Sequence, residues 1–362
     1  MKAWRFHAIG DMRLDEVPDP QVEPGGVLVK VTVAQPSVTE VIRARGGETL
    51  GADYVRQAIA ESAPVQLMGH EFAGEVVAVG AGVTWLKVGD KVASGRSRLP
   101  CYKCELCLGG LPDYCRKGPS VGRELPGCFA EYVSLPAEVF VRLPAEVSDS
   151  EGACIQALTG CVDAVATAEL QMGDTVVVFG QGTMGLAILQ VARASGAGLV
   201  FTTDVRDEVL KLSKTLGADE TINAAAVDPV ERVLQLTRGN GVDVAFESAG
   251  GSAKQGLAGA TALKQAIQAT RDVGKVVQVA MFGGPVELNL NELRAKALQY
   301  LFPAPTNRKL MEHSVRLVAT GQVKLKPTIT HVLHGLDKLP EAFEITANKA
   351  RYGALNPAQI VL

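Results

Sequence analysis

Aromatic side chains are scarce in this chain: they make up 5 % of its 362 residues, as ten phenylalanines, six tyrosines and two tryptophans. A core of this composition must be packed by Val, Leu, Ile and Ala. Long apolar runs are missing as well. No segment reaches the roughly 18 consecutive apolar residues that a membrane-spanning helix needs, and the most apolar helix-like run, MGLAILQVARASGAG, carries Arg193. A strong excess of one charge is also lacking. The net charge is −3 and no stretch is strongly basic, which leaves nucleic-acid binding without electrostatic support. The N-terminal MKAWRFHAIGDMRLDE has no apolar stretch of signal-peptide length, so cytoplasmic residence is expected. Internal repeats and low-complexity segments are absent too.

What is present is ordinary for a soluble globular protein: 47 % apolar and 21 % charged residues. The length suggests two domains, because single cores rarely grow beyond about 250–300 residues. An odd count of seven cysteines in such a chain argues against a disulfide framework.

The first part reads as β. VLVKVTV (27–33), EFAGEVVAVG (71–80) and AEYVSLP (130–136) alternate or run β-branched between Gly and Pro turns. Near residue 150 the character changes, with Ser148 and Asp149 offering a capped helix start. Strands TVVVFG (175–180), LVFTTD (199–204), TIN, VDVAFESAG and KVVQVAMFGG then alternate with helices. Those helices are MGLAILQVARASG (184–196), DEVLKLSKTLG, PVERVLQLTRG and a long stretch to about residue 273. The alternation predicts βαβ units and a doubly wound parallel sheet over residues 150–300. SVRLVATGQ (314–322) and the strand-like PTITHVL suggest a return to the first domain.

Gly180-Gln181-Gly182-Thr183-Met184-Gly185 is a G-x-G-x-x-G between an apolar strand and an apolar helix, the context a dinucleotide site needs. Gly180 permits the tight turn, Gly182 lets backbone approach a pyrophosphate, and Gly185 lets helix and strand pack closely. The helix N-terminus favours the anion. Asp204 ends the next strand, 19 residues after Gly185. A carboxylate there accepts adenosine ribose hydroxyls and repels a 2′-phosphate, which favours NAD over NADP. Arg206, two residues on, could accept that phosphate. The bland alternative is a glycine turn in an unrelated α/β protein.

CYKCELCLGGLPDYC spaces Cys101, Cys104, Cys107 and Cys115 as C-x2-C-x2-C-x7-C. Four thiolates in a short lobe can close a tetrahedron around zinc with no open position, so such a site is structural. Lys103, Arg116 and Lys117 can offset the excess negative charge. An iron–sulfur cluster or four reduced cysteines are the alternatives, and the x7 gap and closed geometry favour zinc.

GHEFAGEVVAVG, VGDKVA, the four-cysteine lobe, FAEYV, the nucleotide loop and the GAD…GVDVAFESAG…VAMFGG series follow one another across almost the whole chain. In that order they resemble the zinc-containing medium-chain dehydrogenases, the alcohol and polyol dehydrogenase superfamily. The resemblance implies a mixed α/β fold. A GroES-like, β-rich catalytic domain comes from residues 1–150 and 301–362, with the zinc lobe at about 95–118. A Rossmann NAD-binding domain spans 151–300. An active-site cleft at their junction, a small-molecule substrate, homodimers or homotetramers, and Thr159 beside the nicotinamide are implied as well.

Fully equipped members hold a second, open zinc. Within VKVTVAQPSVTEVIRARGG (29–47) the family's first ligand cysteine falls on Ser37, the substrate-binding hydroxyl on Thr39 and the proton-relaying histidine on Ile42. His70 and Glu71 match the ligand histidine and its neighbour. The late-ligand positions, 25 and 24 residues before Gly180, hold Ile155 and Gln156, with Cys154 adjacent. A serine hydroxyl and a glutamine amide are neutral, weak zinc ligands, so two compensating charges are gone. A tightly held catalytic zinc is therefore not expected. Hydride transfer then needs another electrophile: Thr39, Ser37 or a protonated His70, with Glu71 setting the histidine's charge.

The expected function is NAD-dependent interconversion of a secondary alcohol and a ketone, with Ser37, Thr39, His70 and Glu71 as the catalytic set. Reduction of a conjugated C=C bond in an enone or iminium is the alternative. A non-catalytic nucleotide-binding protein is the reading from another class. ETLGADYVRQAIAESAPVQLM (48–68) is longer than the family usually carries and either shapes the pocket or is an inert insertion; YLFPAPTN (300–307) is a further source of pocket residues. Cys128, Cys154 and Cys161 read as small buried apolar residues. His7, His313, His331 and His334 read as surface or packing residues.

Overall fold

β-Branched residues set the first part of the chain as strands. The computed structural model describes residues 1–47, 51–251, 258–303 and 306–362. β1 (Lys2–Ala8) and β2 (Asp11–Glu16) pair as an antiparallel hairpin. β3 (Gly26–Gln35), β4 (Glu71–Val79), β5 (Lys91–Ser94), β6 (Tyr132–Pro136) and β7 (Phe140–Arg142) follow. Then come β8 (Thr175–Phe179), β9 (Leu199–Asp204), β10 (Glu220–Asn223), β11 (Val242–Glu247), β12 (Thr270–Gln278) and β13 (Gln299–Leu301). β14 (Val332–His334) and β15 (Gln359–Val361) close the chain.

The strands belong to two compact units. The first comprises Met1–Thr159, Pro305–Ala319 and Thr328–Leu362. Its main sheet has seven strands in the order β14-β15-β3-β4-β5-β7, with β6 paired to β3. Trp4, Phe6, Phe72, Phe129 and Phe140 are buried among valines, and Phe72 meets Phe140 edge-on at 5.9 Å. The β3–β4 register sets Gln35 opposite Glu71, a pairing with consequences below. The helix Val38–Ala44 (α1) follows β3, and the helix Ala52–Ser62 (α2) forms from the extra segment before β4. Residues 48–50 of that segment lie outside the described residues.

The second unit, Gly160–Ala304 and Thr320–Pro327, is a six-stranded sheet in the order β10-β9-β8-β11-β12-β13. Every pairing in it is parallel. That is the doubly wound dinucleotide-fold order, and the strand order reverses at β8. β8 reads TVVVF and is buried after its first residue, as a central parallel strand covered on both faces must be.

Three sequence expectations change. Among the described residues, the helical stretch to about 273 is a helix over Thr261–Ala269, and β12 begins at Thr270. The reason is tertiary: Thr270 pairs with Val242 of β11, a contact that local spacing does not announce. Residues 252–257 of the same stretch lie outside the described residues. PTITHVL keeps a strand only at Val332–His334, after a 3-10 turn at Lys326–Thr328. KVVQVAMFGG ends as a strand at Gln278. Among the described residues, no helix is long and apolar enough to cross a membrane.

Candidate active site and metal centre

The four lobe cysteines converge. Cys101 and Cys107 sulfurs lie 3.9 Å apart, Cys104 and Cys107 3.5 Å, and Cys104 and Cys115 3.7 Å. Tetrahedral zinc with bonds of about 2.3 Å requires sulfur–sulfur edges of about 3.8 Å, so the donor set fits a closed zinc site. Among the described residues this is the one group of three or more ligand-type side chains whose donor atoms lie within 4.8 Å of one another.

The second centre is built from a helix cap. Ser37 caps α1: its hydroxyl accepts from the Glu40 N–H at 3.2 Å, and Glu40 Oε2 accepts from the Ser37 N–H at 2.9 Å. This reciprocal pair is a capping box. The other Glu40 oxygen accepts the Gly69 N–H at 2.7 Å and lies 2.6 Å from His70 Nδ1. Gly69 has φ +85°, and a Cβ there would stand 2.8 Å from the Cys128 amide nitrogen, so only glycine admits this approach. A surface-type capping residue is thus turned inward, 1 % exposed, to hold an imidazole.

His70 keeps its second nitrogen for other work. Its side chain is 17 % exposed, with Nε2 3.8 Å from Glu71 Oε1. Burial disfavours the imidazolium, but Glu40 and then Glu71 outweigh burial and raise the pKa to about 8, with Arg43 opposing them. Burial also disfavours the Glu40 carboxylate, yet His70 and the Ser37 and Gly69 N–H groups hold its pKa below the usual value. Burial pushes Glu71 up, against His70 and Gln35. The Ser37 and Thr39 hydroxyls lie 3.0 Å apart.

Behind Glu71 stands an amide cluster. Gln35 donates from Nε2 to Glu71 Oε2 at 2.6 Å. Its oxygen accepts from Asn356 at 3.2 Å and from Gln359 at 2.9 Å. The Cys154 thiol, 3.5 Å from the same oxygen, also accepts from Asn356 at 3.4 Å. Burial and the Glu71 charge push this thiol up to about 12, so it is a neutral hydrogen-bonding partner. Ile155 is fully buried and Gln156 half-buried.

These donors do not fit a catalytic zinc. His70 Nε2 stays open, with Nδ1 held by Glu40 as in a metal-ligating histidine, but Ser37 is a neutral helix cap, Gln156 a neutral amide, and Cys154 is held as a thiol among amides. Zinc needs ionised or imidazole donors converging with open lone pairs. Sequence reasoning missed Glu40 and Gln35. The Ser37-x-x-Glu40 spacing was a visible capping-box signal; Gln35 carried no signal at all.

In the second unit the glycine loop takes the form the motif implied. Gly180 has φ +85°, and a Cβ there would meet Ala249 at 2.8 Å. A Cβ on Gly185 would stand 1.8 Å from the Gly180 oxygen, whereas one on Gly182 would meet nothing within 4 Å. The open side at Gly182 lies at the start of the helix Thr183–Ala194. There the Thr183 hydroxyl is buried without a hydrogen-bond partner among the described residues, as a pyrophosphate site leaves it. Asp204 accepts the Gln181 N–H at 2.7 Å, Val205 N–H at 2.8 Å and Arg206 N–H at 3.0 Å. Arg206 Nε lies 3.8 Å from the same carboxylate. Met184 sulfur sits 3.7 Å from Cys161. Thr159, which belongs to the first unit, is fully buried and spends its hydroxyl on the Ile155 carbonyl at 2.7 Å.

Comparisons with known proteins agree with both units. Residues 23–145 match the family model described as alcohol dehydrogenase GroES-like domain, and residues 183–304 the one described as zinc-binding dehydrogenase. L-threonine 3-dehydrogenase of Pyrococcus abyssi is 35 % identical over 336 residues, covering 92 % of this chain and 91 % of that protein. (R,R)-Butanediol dehydrogenase of Bacillus subtilis is 33 % identical, covering 82 % of each. A putative zinc-binding dehydrogenase from Sinorhizobium meliloti, solved bound to NADP, superposes with a TM-score of 0.86 at 26 % identity, covering 100 % of this chain and 99 % of its own.

Proposed function

The chain belongs to the zinc-type medium-chain alcohol dehydrogenase family of oxidoreductases, and we propose that it interconverts a secondary alcohol and a ketone with NAD(H), using His70 in place of a catalytic metal. The observation that carries this reading is the imidazole fixed by a buried carboxylate, with Nδ1 at 2.6 Å from Glu40 and Nε2 directed to neighbouring Glu71 at 3.8 Å. The two relatives named above are called dehydrogenases of threonine at carbon 3 and of butanediol, and both names describe secondary carbinols.

A bound nicotinamide supplies or accepts the hydride. The proton is the protein's task. In reduction, imidazolium Nε2–H donates to the carbonyl oxygen, polarising it and then completing the alcohol. In oxidation, neutral Nε2 takes the hydroxyl proton. Glu40 keeps Nδ1 protonated in both states, so Nε2 is the nitrogen that changes charge. Thr39 and Ser37, their hydroxyls 3.0 Å apart, orient the reacting oxygen. Asp204 supports NAD over NADP, since a 2′-phosphate would meet its carboxylate. The neutral residues Ser37 and Gln156 also support a second reading, reduction of an already polarised enone or iminium, because such an acceptor needs less Lewis-acid help.

The test is His70→Gln assayed with a panel of secondary alcohols and ketones, alongside zinc counting. A fall in kcat/KM of about 10²–10⁴ with the zinc content unchanged supports the reading. Two zincs per chain, one of them lost with His70, would sink it. A deuterium-labelled NADH screen separates carbonyl from C=C reduction by where the label lands.

A further inference from the structure

The second unit holds a buried acid that neither the phosphate loop nor the proton machinery uses. Glu247 ends β11 and is fully buried. Its Oε1 accepts the Ala249 N–H at 2.9 Å and the Gly250 N–H at 2.7 Å. Its Oε2 is buried and has no hydrogen-bond partner among the described residues. Burial pushes the pKa of this carboxyl up, and the Gly250 and Ala249 N–H groups pull against it. A core position that only needed filling would take an apolar side chain, because a buried oxygen left unpaired costs free energy. What the carboxylate does is hold the turn that follows it.

That turn meets the ends of both neighbouring strands. Toward β8, the Ser248 hydroxyl stands 2.9 Å from the Phe179 carbonyl oxygen and 2.8 Å from that of Gly180. Toward β12, the Glu247 carbonyl accepts the Val279 N–H at 2.8 Å and the Ala280 N–H at 3.1 Å. The Gly251 N–H donates to the Met281 carbonyl at 2.8 Å, and the Gly283 N–H donates back to Gly251 at 3.2 Å. Gly250 is left-handed at φ +43°, and a Cβ there would stand 2.3 Å from the Ala280 Cβ. The turn therefore has no room to drift toward β12. Gln278 lies opposite Glu247 in the β11–β12 register. Its Nε2 donates to the Ala280 carbonyl at 3.0 Å, and its oxygen accepts from the Tyr300 hydroxyl of β13.

The strand order says what these ends are for. In a doubly wound dinucleotide fold each half of the sheet takes one mononucleotide, outside the carboxyl ends of its strands. β8, β9 and β10 carry the glycine loop and Asp204, which makes theirs the adenosine half. β11, β12 and β13 are then the nicotinamide half. Residues 248–251 form the seam, with Gly180 on one side and residues 279–283 on the other.

We propose that Glu247 is a positioning residue for the nicotinamide half of the dinucleotide, its buried carboxylate shaping the 248–251 turn so that the ends of β8, β11 and β12 keep one fixed spacing. This goes beyond the reading of His70 and does not depend on it, because it is read in cofactor binding and needs no turnover.

The test titrates the zinc-bound full chain calorimetrically with NADH and with ADP, which lacks the nicotinamide riboside. Glu247→Leu should raise the Kd for NADH by about 3- to 10-fold, the worth of one lost hydrogen bond, and leave that for ADP unchanged. Glu247→Gln keeps an acceptor oxygen for the two N–H groups and should stay near wild type. Gly250→Ala disturbs the same turn from the Ala280 side and should repeat the loss confined to NADH; it carries the test if Glu247→Leu fails to fold. Asp204→Ala is the converse control, in which ADP and NADH weaken together. Equal losses of ADP and NADH in Glu247→Leu or Gly250→Ala, or no loss of either, overturn the proposal. A chain that shows the expected pattern and turns over no alcohol keeps this proposal and sinks the oxidoreduction reading.

Discussion

The four-cysteine lobe and the His70 centre both gather metal-ligating residue types, and they hold them in opposite ways. The lobe draws its donors from 15 consecutive positions, 101–115, and its sulfurs meet each other at 3.5–3.9 Å. The His70 centre draws on Gln35, Ser37, Glu40, His70, Glu71, Cys154, Asn356 and Gln359, and all of them but His70, whose Nε2 stays open, have their side chains engaged with other protein groups. A serine spent as a helix cap and a cysteine kept as a thiol are hydrogen-bonding residues, whatever their type suggests. The difference teaches that a ligand is a lone pair left open in the right direction, and that a buried network can close it.

The largest expected effect tests the lobe. Cys104→Ser should remove zinc and unfold the lobe, because structural zinc contributes of order 10 kcal/mol to local folding; metal content falling from one per chain to none, with His70→Gln unchanged in zinc, is the expected outcome. If Cys104→Ser retains its zinc, the contrast between the two sites collapses.

Glu40→Gln probes the other side. The folded His70 pKa, about 8, exceeds its ordinary 6.5. The stabilisation from this shift is therefore fully present below pH 6.5 and lost as pH rises through about 8. The shift corresponds to roughly 2 kcal/mol. Urea unfolding across pH 6–9 should show this loss in wild type and little of it in Glu40→Gln. Ketone reduction, which uses the imidazolium, should decline above about pH 8 in wild type and at lower pH in the variant. Identical pH profiles would remove Glu40 from the machinery.

Smaller effects follow at the remaining positions. Asp204→Ala should relax the preference for NAD over NADP by about tenfold, or 1.4 kcal/mol, read from the ratio of kcat/KM for the two nucleotides; an unchanged ratio would show that the ribose contact lies elsewhere. Ser37→Ala should cost about 1 kcal/mol as a lost helix cap, measured by denaturation. Because Ser37 also clamps Glu40, a simultaneous rise in KM would tie the cap to the active centre.

The parts legible in the sequence share one property: their requirement is local. Gly180, Gly182 and Gly185 are read from a strand–turn–helix pattern: Gly180 takes a left-handed φ, a Cβ on Gly185 would strike the Gly180 oxygen, and Gly182 leaves the backbone open at the helix start. The cysteine spacing is read for the same reason. Ser148 caps its helix as the sequence indicated, with Glu151 reciprocating. The first residues of β12, to about 273, were read as helix because Thr270 answers to Val242 across the sheet.

Composition, glycine placement and cysteine spacing were enough to specify a doubly wound sheet, a phosphate loop and a four-sulfur lobe, since backbone sterics and short-range geometry act within a few residues. The chemistry at His70 required the folded chain. Gln35 reaches Glu71 through the β3–β4 register, and Asn356, 321 residues away in sequence, completes its contacts. Whether Glu40 is a solvated cap or a buried clamp, and whether Arg123 meets Tyr54, depends on which distant surfaces are buried together. Burial sets the charge and the partners of a side chain, and a linear pattern holds no record of it.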